Sequence, residues 1–420
     1  MVRYRLLWLM SLLVCCASAL WAATPAVQPR IDRPLIADNQ QFGYAIGTSD
    51  NKGLGKNTYQ FSYLVKVAAT GLVFPHSQTY SSWNASENQQ EVTNAATYRA
   101  AISINKGPWV LLTWDGVTSK TCACHALILN DPVMRAVKPG DRVYLRTEIT
   151  VPAGGKWGMN LQARDGDDKN WTQGATNTAD DVLTSNNADF SPQIGLFIHS
   201  ALGLFGTPTE KTVIHPTVVV GDSIAGYVLD AAATVGNSAP IANLAMAGES
   251  TRRFWTAGSI RQALFAGCDT MVFQDGVNDL REGATFAQLQ SAANKVWEAF
   301  RVAGGKHLIV CTATPLSCST DKWATEAGQT ADFDPAQRQR WNDYLRLLSE
   351  KDLHLTVTVI DAAAVFESTP NNSLWKPLPK GASSDDGVHP NATGGAALAE
   401  GVGPAIKKAI LGAQKPDVAP

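Results

Sequence analysis

The chain has 420 residues, of which 45% are apolar and 17% are charged. This length is enough for two domains of ordinary size, and this composition is typical of folded globular chains rather than disordered ones. A formal net charge of −2 excludes a general electrostatic attraction to nucleic acid. We therefore predict a folded protein of two domains that has no nucleic-acid partner.

The N-terminus has the features of a secretory signal peptide. Arg3 and Arg5 precede an apolar run at 6–14, and small residues follow that run. This pattern predicts a signal peptide over residues 1–23 and hence a secreted or periplasmic protein. The run is too short to span a membrane, and we predict no membrane span elsewhere. A lipid anchor on Cys15 is the alternative, although a valine precedes it where a small residue is expected.

Residues 24–205 are predicted to form an antiparallel β-sandwich of the jelly-roll-like kind. After an irregular lead-in, apolar and polar residues alternate in short stretches such as 98–104 and 142–149. Alternation with a period of two is typical of strands, and no convincing amphipathic helix interrupts them. One more strand is predicted at 194–198, and the polar stretch 165–187 is predicted to be a surface loop.

Between residues 206 and 420, strand-like and helix-like stretches alternate. Short β-branched and apolar runs predict buried strands, whereas apolar residues at helical spacing predict amphipathic helices. Their alternation predicts a three-layer α/β/α sandwich with a parallel sheet. The predicted strands are 217–220, 241–246, 270–274, 307–314 and 355–360, and the predicted helices are 224–233, 286–303, 335–351 and a last one, capped by Asn391, that ends near Leu411.

The first of these strands leads into Gly221, Asp222 and Ser223. A serine between a strand and a helix lies at the carboxyl edge of the sheet, where open α/β folds bind ligands. Its backbone N–H also lies at a helix N-terminus, which favours an anion. We predict that Ser223 is a catalytic nucleophile. The alternative is that Ser223 only caps the helix.

A serine hydroxyl needs a base, and His389 is the best placed of the seven histidines. Three of the others lie in the N-terminal region, and three lie beside the amino ends of predicted strands. His389 instead lies in a polar loop before the last helix, three residues after Asp386. This spacing brings the carboxylate to one ring nitrogen while the other faces the serine. Asp385 is the alternative carboxylate.

Two further strands end in residues that are suited to stabilising an oxyanion. Gly248 follows the strand at 241–246, and a glycine N–H can approach a substrate closely. Asn278 follows the strand at 270–274, and its side-chain amide is a neutral donor. With the N–H of Ser223, these groups are predicted to form an oxyanion hole. The alternatives are a plain turn glycine and a helix-capping asparagine.

The candidate residues follow the order of the four sequence blocks of the SGNH (GDSL) hydrolases. Over residues 213–412 the chain resembles that family, and no block is missing. The resemblance implies a flavodoxin-like α/β/α fold, ester hydrolysis by the serine, histidine and aspartate, and no metal or organic cofactor. Asp222 and Asp279 are predicted to support the structure. The matching blocks are Gly221-Asp222-Ser223, Gly248, Gly276-Val277-Asn278-Asp279 and Asp386-Gly387-Val388-His389.

We expect a secreted serine esterase that acts on a small-molecule or polysaccharide ester, and a carbohydrate O-acetyl ester above all. Trp323 and Trp375 fall near the carboxyl edge and are candidates for stacking on sugar rings. The polar stretch 317–334 disfavours the apolar lid of a lipase. The alternatives are a short-chain lipase or arylesterase and an inactive glycan-binding surface protein, with Trp83 and Trp171 as candidate glycan contacts. The oligomeric state is left open.

Five cysteines follow the predicted signal peptide, and secretion permits disulfides. Cys311 and Cys318 bracket a loop after a predicted strand, so we predict that they form a disulfide. Cys122 and Cys124 form either a strained disulfide or part of a Cys-X-Cys-His metal site. Cys268 is predicted to be a buried thiol.

Overall fold

A computed structural model of the chain describes most of residues 29–411. The predicted signal peptide, the predicted strand at 194–198, Trp83 and Trp171 lie outside the described residues. The described ranges are 29–38, 44–48, 55–78, 94–124, 126–160, 174–176, 201–211, 215–234, 239–257 and 259–411.

The N-terminal region is built from antiparallel strands. They are β1 (Ala37–Asp38), β2 (Tyr44–Thr48), β3 (Gly55–Val65), β4 (Ala69–Val73), β5 (Pro75–Gln78), β6 (Ala96–Ile104), β7 (Val110–Leu111), β8 (Lys120–Cys122), β9 (Ala126–Leu129), β10 (Arg142–Val151), β11 (Lys156–Asn160), β12 (Gly174–Thr176) and β13 (Phe205–Pro208). In the described part of the chain, the largest sheet has the order β1-β3-β10-β6-β7, with β12 beside β3 and β8 beside β6. Shorter sheets pair β2 with β11, β4 with β13 and β5 with β9.

Strand β10 lies in the middle of the large sheet and is buried on both faces. Leu145 pairs with Phe61 on one neighbour and with Ile102 on the other. The alternate positions, predicted to form a polar face, are buried as well. Arg146, for example, is 1% exposed and donates to the side chain of Gln60 at 2.8 Å. Antiparallel strands are confirmed here, and the jelly-roll-like sandwich stays a prediction.

The C-terminal region alternates strands and helices as predicted. The elements are β14 (Thr217–Gly221), α1 (Ser223–Thr234), β15 (Ile241–Asn243), α2 (Thr251–Ala257), α3 (Ser259–Gln262), a 3₁₀ helix (Ala263–Gly267), β16 (Thr270–Gln274), α4 (Val277–Arg281), α5 (Phe286–Val302), β17 (His307–Cys311), β18 (Ser317–Ser319), β19 (Gln329–Ala331), α6 (Pro335–Leu347), α7 (Glu350–Leu353), β20 (Thr356–Ile360), α8 (Ala363–Phe366) and α9 (Ala392–Leu411). The five-stranded parallel sheet has the order β15-β14-β16-β17-β20, and a separate hairpin pairs β18 with β19.

The three valines of β14 show why this strand is apolar throughout. Val218 and Val220 join the hydrophobic cluster that contains residues of α2, α4, α5 and α6, whereas Val219 joins the cluster that contains residues of α1, α8 and α9. Side chains alternate between the two faces of a strand, so a strand covered on both faces is apolar at every position. The predicted parallel sheet with helices on both faces is confirmed.

The two regions are joined by packing as well as by the chain. Strand β13 pairs with β4, and Phe205 belongs to the cluster under α2 and α5. The amide of Leu35 also donates to the carbonyl of Gly267 at 2.9 Å. The domain boundary at 205/206 therefore falls inside an element that contacts both regions, and it stays a prediction.

Cys311 and Cys318 are both free thiols, so the predicted disulfide between them is wrong. Cys311 ends β17 and is buried in the cluster under α1 and α9, while Cys318 is exposed on β18 and donates to Asp332. A loop-bracketing pair in sequence gives no information on which way the two side chains point. Cys268 is a buried thiol, as predicted.

Among the described residues, no helix combines the length and the apolarity that a membrane span requires.

Candidate active site

Ser223 begins α1 directly after β14 ends at Gly221. A Cβ atom at Gly221 would lie 1.9 Å from the carbonyl oxygen of Gln274, so only glycine lets the chain pass β16 here. Asp222 caps the helix, because its Oδ1 accepts from the amide of Ile224 at 2.8 Å. Asp222 thus has the structural role that was predicted for it, and the hydroxyl of Ser223 is directed to another partner.

That partner is His389. Its Nε2 lies 2.8 Å from the Oγ of Ser223, and its Nδ1 lies 2.7 Å from the Oδ2 of Asp386. The structure therefore brings the three predicted triad residues together, although the serine and the histidine are 166 positions apart. An imidazole between a hydroxyl and a carboxylate can take the hydroxyl proton while the carboxylate fixes its orientation.

The second oxygen of Asp386 is held by the backbone of its own loop. Its Oδ1 accepts from the amides of Val388 and His389, both at 2.8 Å. Burial raises the pKa of Asp386, but the hydrogen bonds from the His389 ring and these two amides outweigh it, so the net pKa lies below its usual range. The carboxylate stays ionised and can support a positive charge on the imidazole.

Asp385, the alternative carboxylate, has a different partner. Its Oδ1 accepts from the side-chain amide of Asn391 at 2.7 Å, whereas Asp386 contacts the histidine ring. The Oδ1 of Asn391 accepts from the amide of Gly394 at 3.0 Å, as expected for a residue that caps α9. The structure thus favours Asp386 as the carboxylate beside His389.

The carbonyl of Gly387 fixes the loop that carries Asp386 and His389. It accepts from the indole Nε1 of Trp375 at 2.9 Å and from the amide of Ser317 at 3.0 Å. Gly387 has φ +75°, and a Cβ atom there would lie 1.8 Å from the carbonyl oxygen of Ser317. A glycine is therefore required for both conformation and space. The β18–β19 hairpin and Trp375 position this loop, and the sequence alone gave no signal of either contact.

Gly248 and Asn278 lie on the other side of Ser223. Gly248 has φ +75°, a left-handed conformation that suits glycine. The Nδ2 of Asn278 donates to the Oδ2 of Asp222 at 3.3 Å and to the carbonyl of Glu249 at 3.0 Å. Asn278 thus bridges the residue before Ser223 and the residue after Gly248. It lies inside α4, whose N-cap is Gly276, so it does not cap that helix.

The backbone amides of Ser223 and Gly248 are two further candidate hydrogen-bond donors at the site. Within the part of the chain that the structure describes, neither N–H has a hydrogen-bond acceptor. Two such amides beside a nucleophile can donate to a negative oxygen that forms during acyl transfer.

Beneath the site lies a cluster of buried carboxyl groups that the sequence analysis did not identify as a unit. Asp222, Asp275 and Asp279 are 0% exposed, and Glu249 is 5% exposed. Glu249 is paired with Arg261, which is also buried, and Asp279 accepts from the amide of Thr251 at 2.7 Å. The four acidic residues follow three different strands, so only the fold brings them together.

Burial dominates the titration of two members of this cluster, Asp222 and Asp275. It raises the pKa of Asp222 to about 7, with the charges of Asp279 and Glu249 adding to the effect and the Ile224 amide opposing it. The pKa of Asp275 is raised well above its usual range, by burial first and then by the neighbouring carboxylates. These groups resist ionisation in the folded protein.

The predicted sugar-stacking tryptophans are not equivalent. Trp375 is 0% exposed, so the prediction that it stacks on a ligand is wrong, and its indole instead holds Gly387. Trp323 is partly buried, with its Nε1 donating to the Oγ of Ser317 at 3.1 Å, and its role as a sugar contact stays a prediction.

Metal ligation has no candidate among the residues that the structure describes: no group of three or more His, Cys, Asp or Glu side chains there has suitable geometry. The histidine of the Cys-X-Cys-His motif lies outside those residues.

No protein-family model matches the chain, and no curated protein matches it. Solved structures do show a likeness to it. A carbohydrate esterase family 3 protein from Talaromyces cellulolyticus is 17% identical with a TM-score of 0.33, over 48% of this chain and 99% of that one. A Streptococcus pneumoniae peptidoglycan O-acetyltransferase A catalytic domain is 19% identical with a TM-score of 0.29, over 47% and 96%. A peptidoglycan O-acetylesterase is 10% identical with a TM-score of 0.37, over 88% and 83%.

At these identities and TM-scores, the likenesses assign no activity to the chain, and its family stays a prediction.

Proposed function

We propose that the chain is a serine esterase that hydrolyses carboxylic esters through an acyl-enzyme. The observation that carries this proposal is the pair of hydrogen bonds that His389 makes, at 2.8 Å to the hydroxyl of Ser223 and at 2.7 Å to the carboxylate of Asp386. A histidine held in this way is the base that a serine nucleophile requires.

In the proposed reaction, the Nε2 of His389 takes the proton of Ser223 as the Oγ attacks the ester carbonyl. The tetrahedral intermediate then expels the alcohol, whose oxygen receives that proton from His389. Water, deprotonated by the same nitrogen, then attacks the acyl-enzyme. The second tetrahedral intermediate collapses to the acid as the bond to Oγ breaks and His389 returns the proton to Ser223. Asp386, with its lowered pKa, remains ionised throughout and balances the charge of the imidazolium.

The proposed oxyanion hole consists of the amides of Ser223 and Gly248 and the side chain of Asn278. Neither backbone amide has a hydrogen-bond acceptor among the described residues, so each can donate to a bound oxyanion. Asn278 is engaged in two bonds, and the longer one, at 3.3 Å to Asp222, is the one that we propose the oxyanion replaces. Three donors at this position account for much of the rate enhancement of acyl transfer.

The substrate that we propose is a carbohydrate O-acetyl ester, and we propose that the protein is secreted. The proposal rests on the signal-peptide pattern of residues 1–23 and on the polar carboxyl-edge segment 317–334. It includes an N-terminal β-sandwich domain at 24–205, followed by the hydrolase domain at 206–420. Nothing in the chemistry of the triad calls for a metal or an organic cofactor.

The direct test uses p-nitrophenyl acetate and a fluorophosphonate label. Wild type should hydrolyse the ester and gain one adduct in its intact mass. Ser223→Ala should lose about 10⁴-fold or more in kcat and gain no adduct. Ser368→Ala, an exposed serine on the same domain, is the control and should behave as wild type. Equal rates of p-nitrophenyl acetate hydrolysis in wild type and Ser223→Ala would contradict the proposal.

A further inference from the structure

A groove runs between α1 and the first turns of α9. Its volume is about 450 Å³, within the range of ~300–1,000 Å³ that is typical of small-molecule sites. Most of its wall consists of small side chains, and the remainder supplies one aromatic ring, one carboxylate, one amide and one proline. The residues that matter here are Tyr227, Ala231, Asp385, Asn391, Gly395 and Ala396.

One side chain of the groove wall lies near the imidazole of His389. Tyr227 lies one helical turn after Ser223, and its ring centroid is 6.2 Å from that of His389. Asp385 and Asn391 flank the histidine in the same loop and are hydrogen-bonded to each other at 2.7 Å. A substituent that extends from the reacting carbon toward this side of His389 therefore points to the groove.

The direction of proton transfer decides whether the acyl part or the alcohol part of an ester extends toward the groove. The alcohol oxygen must receive its proton from His389, so the alcohol lies on the histidine side of Ser223. The proposed oxyanion donors lie on the other side of Ser223. Gly248 precedes α2, and Asn278 belongs to α4. Both helices pack on one face of the sheet, whereas α1 and α9 pack mainly on the opposite face. The acyl oxygen thus points away from the groove.

We infer that the groove between α1 and α9 binds the alcohol portion of the ester, and that this alcohol is a sugar. The inference rests on the proposed esterase function and adds the residues that recognise the leaving group. Alanine and glycine walls leave room for a ring, and Tyr227 adds an aromatic side chain to the same wall.

The polar rim is what selects a hydroxylated alcohol over a hydrocarbon chain. Asp385 is exposed at the mouth of the groove and has two oxygens, of which the bond from Asn391 uses one. A carboxylate accepts hydrogen bonds from sugar hydroxyls, whereas covering it with an alkyl chain removes its water without replacement. A fatty alcohol would therefore bind here less well than a sugar.

The test compares esters that share one acyl group and differ in the alcohol. Ethyl acetate, O-acetylated xylo-oligosaccharides and 6-O-acetyl-N-acetylglucosamine are the probes, and the measured quantity is the ratio of kcat/KM for a sugar ester to that for ethyl acetate. A Cβ atom at Gly395 meets no atom within 4 Å, so Gly395→Leu fills the groove without disturbing the fold. We expect this variant to lower the ratio by about 10-fold or more.

Ala396→Leu, at an exposed position of the same wall, is a second variant and should lower the ratio in the same way. Ala405→Leu, exposed further along α9 and outside the groove, is the matched control and should leave the ratio unchanged. Circular dichroism and thermal unfolding establish that each variant is folded.

The outcomes separate the two proposals. If wild type cleaves none of these acetates and takes up no fluorophosphonate, the esterase proposal itself fails. If wild type cleaves them but prefers ethyl acetate to both sugar esters, the sugar is the wrong alcohol. If wild type prefers a sugar ester and both groove variants keep the wild-type ratio, the groove does not bind the leaving group.

Discussion

Carboxyl groups lie on two sides of Ser223, and the protein treats them in opposite ways. In the loop before α9, Asp386 is about half exposed, and three hydrogen bonds from one short segment lower its pKa. Under the start of α1, Asp222 and Asp275 are fully buried, and burial raises their pKa values. Aspartate thus supplies a negative charge at the surface, in Asp386, and groups that resist ionisation in the interior, in Asp222 and Asp275.

The difference lies in what surrounds each carboxyl. Water and amide N–H groups stabilise a carboxylate, whereas neighbouring acidic groups in a dry interior penalise it. We therefore expect the loop carboxylate to control the rate of reaction and to matter little for stability. The buried carboxyls should control the pH dependence of stability.

The largest expected effect is the loss of activity in Asp386→Asn. The neutral amide no longer stabilises an imidazolium, and its NH₂ group favours the wrong tautomer of His389, so kcat should fall by about 10³-fold to 10⁴-fold. Asp332→Asn, a change of an exposed carboxylate away from the triad, is the control in the same ester assay. A loss of less than about 10-fold would show that Asp386 is not the supporting carboxylate.

Gly387→Ala should damage the loop that holds Asp386. The new methyl group would lie 1.8 Å from the Ser317 carbonyl oxygen at φ +75°, so we expect a loss of about 1–3 kcal/mol in unfolding free energy, with a fall of about 10-fold to 100-fold in kcat. Gly116→Ala is the matched control, because its φ is +79° and no atom lies within 4 Å of its Cβ position. Urea unfolding should show a larger loss at 387 than at 116, and equal losses would mean that the clash with Ser317 is relieved.

Asp222→Asn should change how stability depends on pH. The pKa of Asp222 is 3.8 in its ordinary state and about 7 in the folded protein, so the unfolded chain releases this proton first. Raising the pH from about 4 to about 7 therefore favours unfolding, by at most about 1.4 kcal/mol per pH unit for this one group. The amide variant cannot ionise, so its unfolding free energy should fall less over that window. Parallel pH profiles of the two proteins in urea would contradict the burial effect.

The smallest effect is expected for the stability of Asp386→Asn at pH 7. The lowered pKa means that the carboxylate stabilises the fold above its ordinary pKa and that this contribution disappears as the pH falls through the folded pKa. Because the side chain is 53% exposed, solvent screens its interactions, and the loss should stay below about 1 kcal/mol. A loss above this bound at pH 7 would show that the exposed carboxylate matters for stability and would contradict the contrast between the two sides of Ser223.

Much of the site could be predicted because parallel strands collect their carboxyl ends at one edge. Ser223, Gly248 and Asn278 each follow a strand of that sheet, and local patterns predicted those strands. The Asp386–His389 contact was predictable from a spacing of three residues, which a single turn satisfies. The sequence favours Asp386 over Asp385, but only the structure shows which of the two carboxylates contacts the ring, because that depends on the direction of a side chain.

Contacts between distant segments could not be predicted in the same way. The bond from Trp375 to Gly387 and the burial of Asp275 arise from loops whose packing no local pattern encodes. The disulfide prediction failed for a different reason: the spacing of Cys311 and Cys318 does not give the direction of their side chains, of which one is buried and the other exposed. The buried polar face of β10 also depends on neighbouring segments, and period-two alternation suggested an exposed face there.

The distance along the chain between Ser223 and His389 has a consequence for the protein during its synthesis on the ribosome. Ser223, the proposed nucleophile, belongs to the first strand-helix unit of its sheet, but His389, the proposed base, is 166 residues downstream, just before α9, which packs on α1. During synthesis, the serine therefore leaves the ribosome long before the histidine exists, so the proposed activity is absent from the growing chain. If the esterase proposal holds, turnover of an ester would thus report that α9 has packed onto α1.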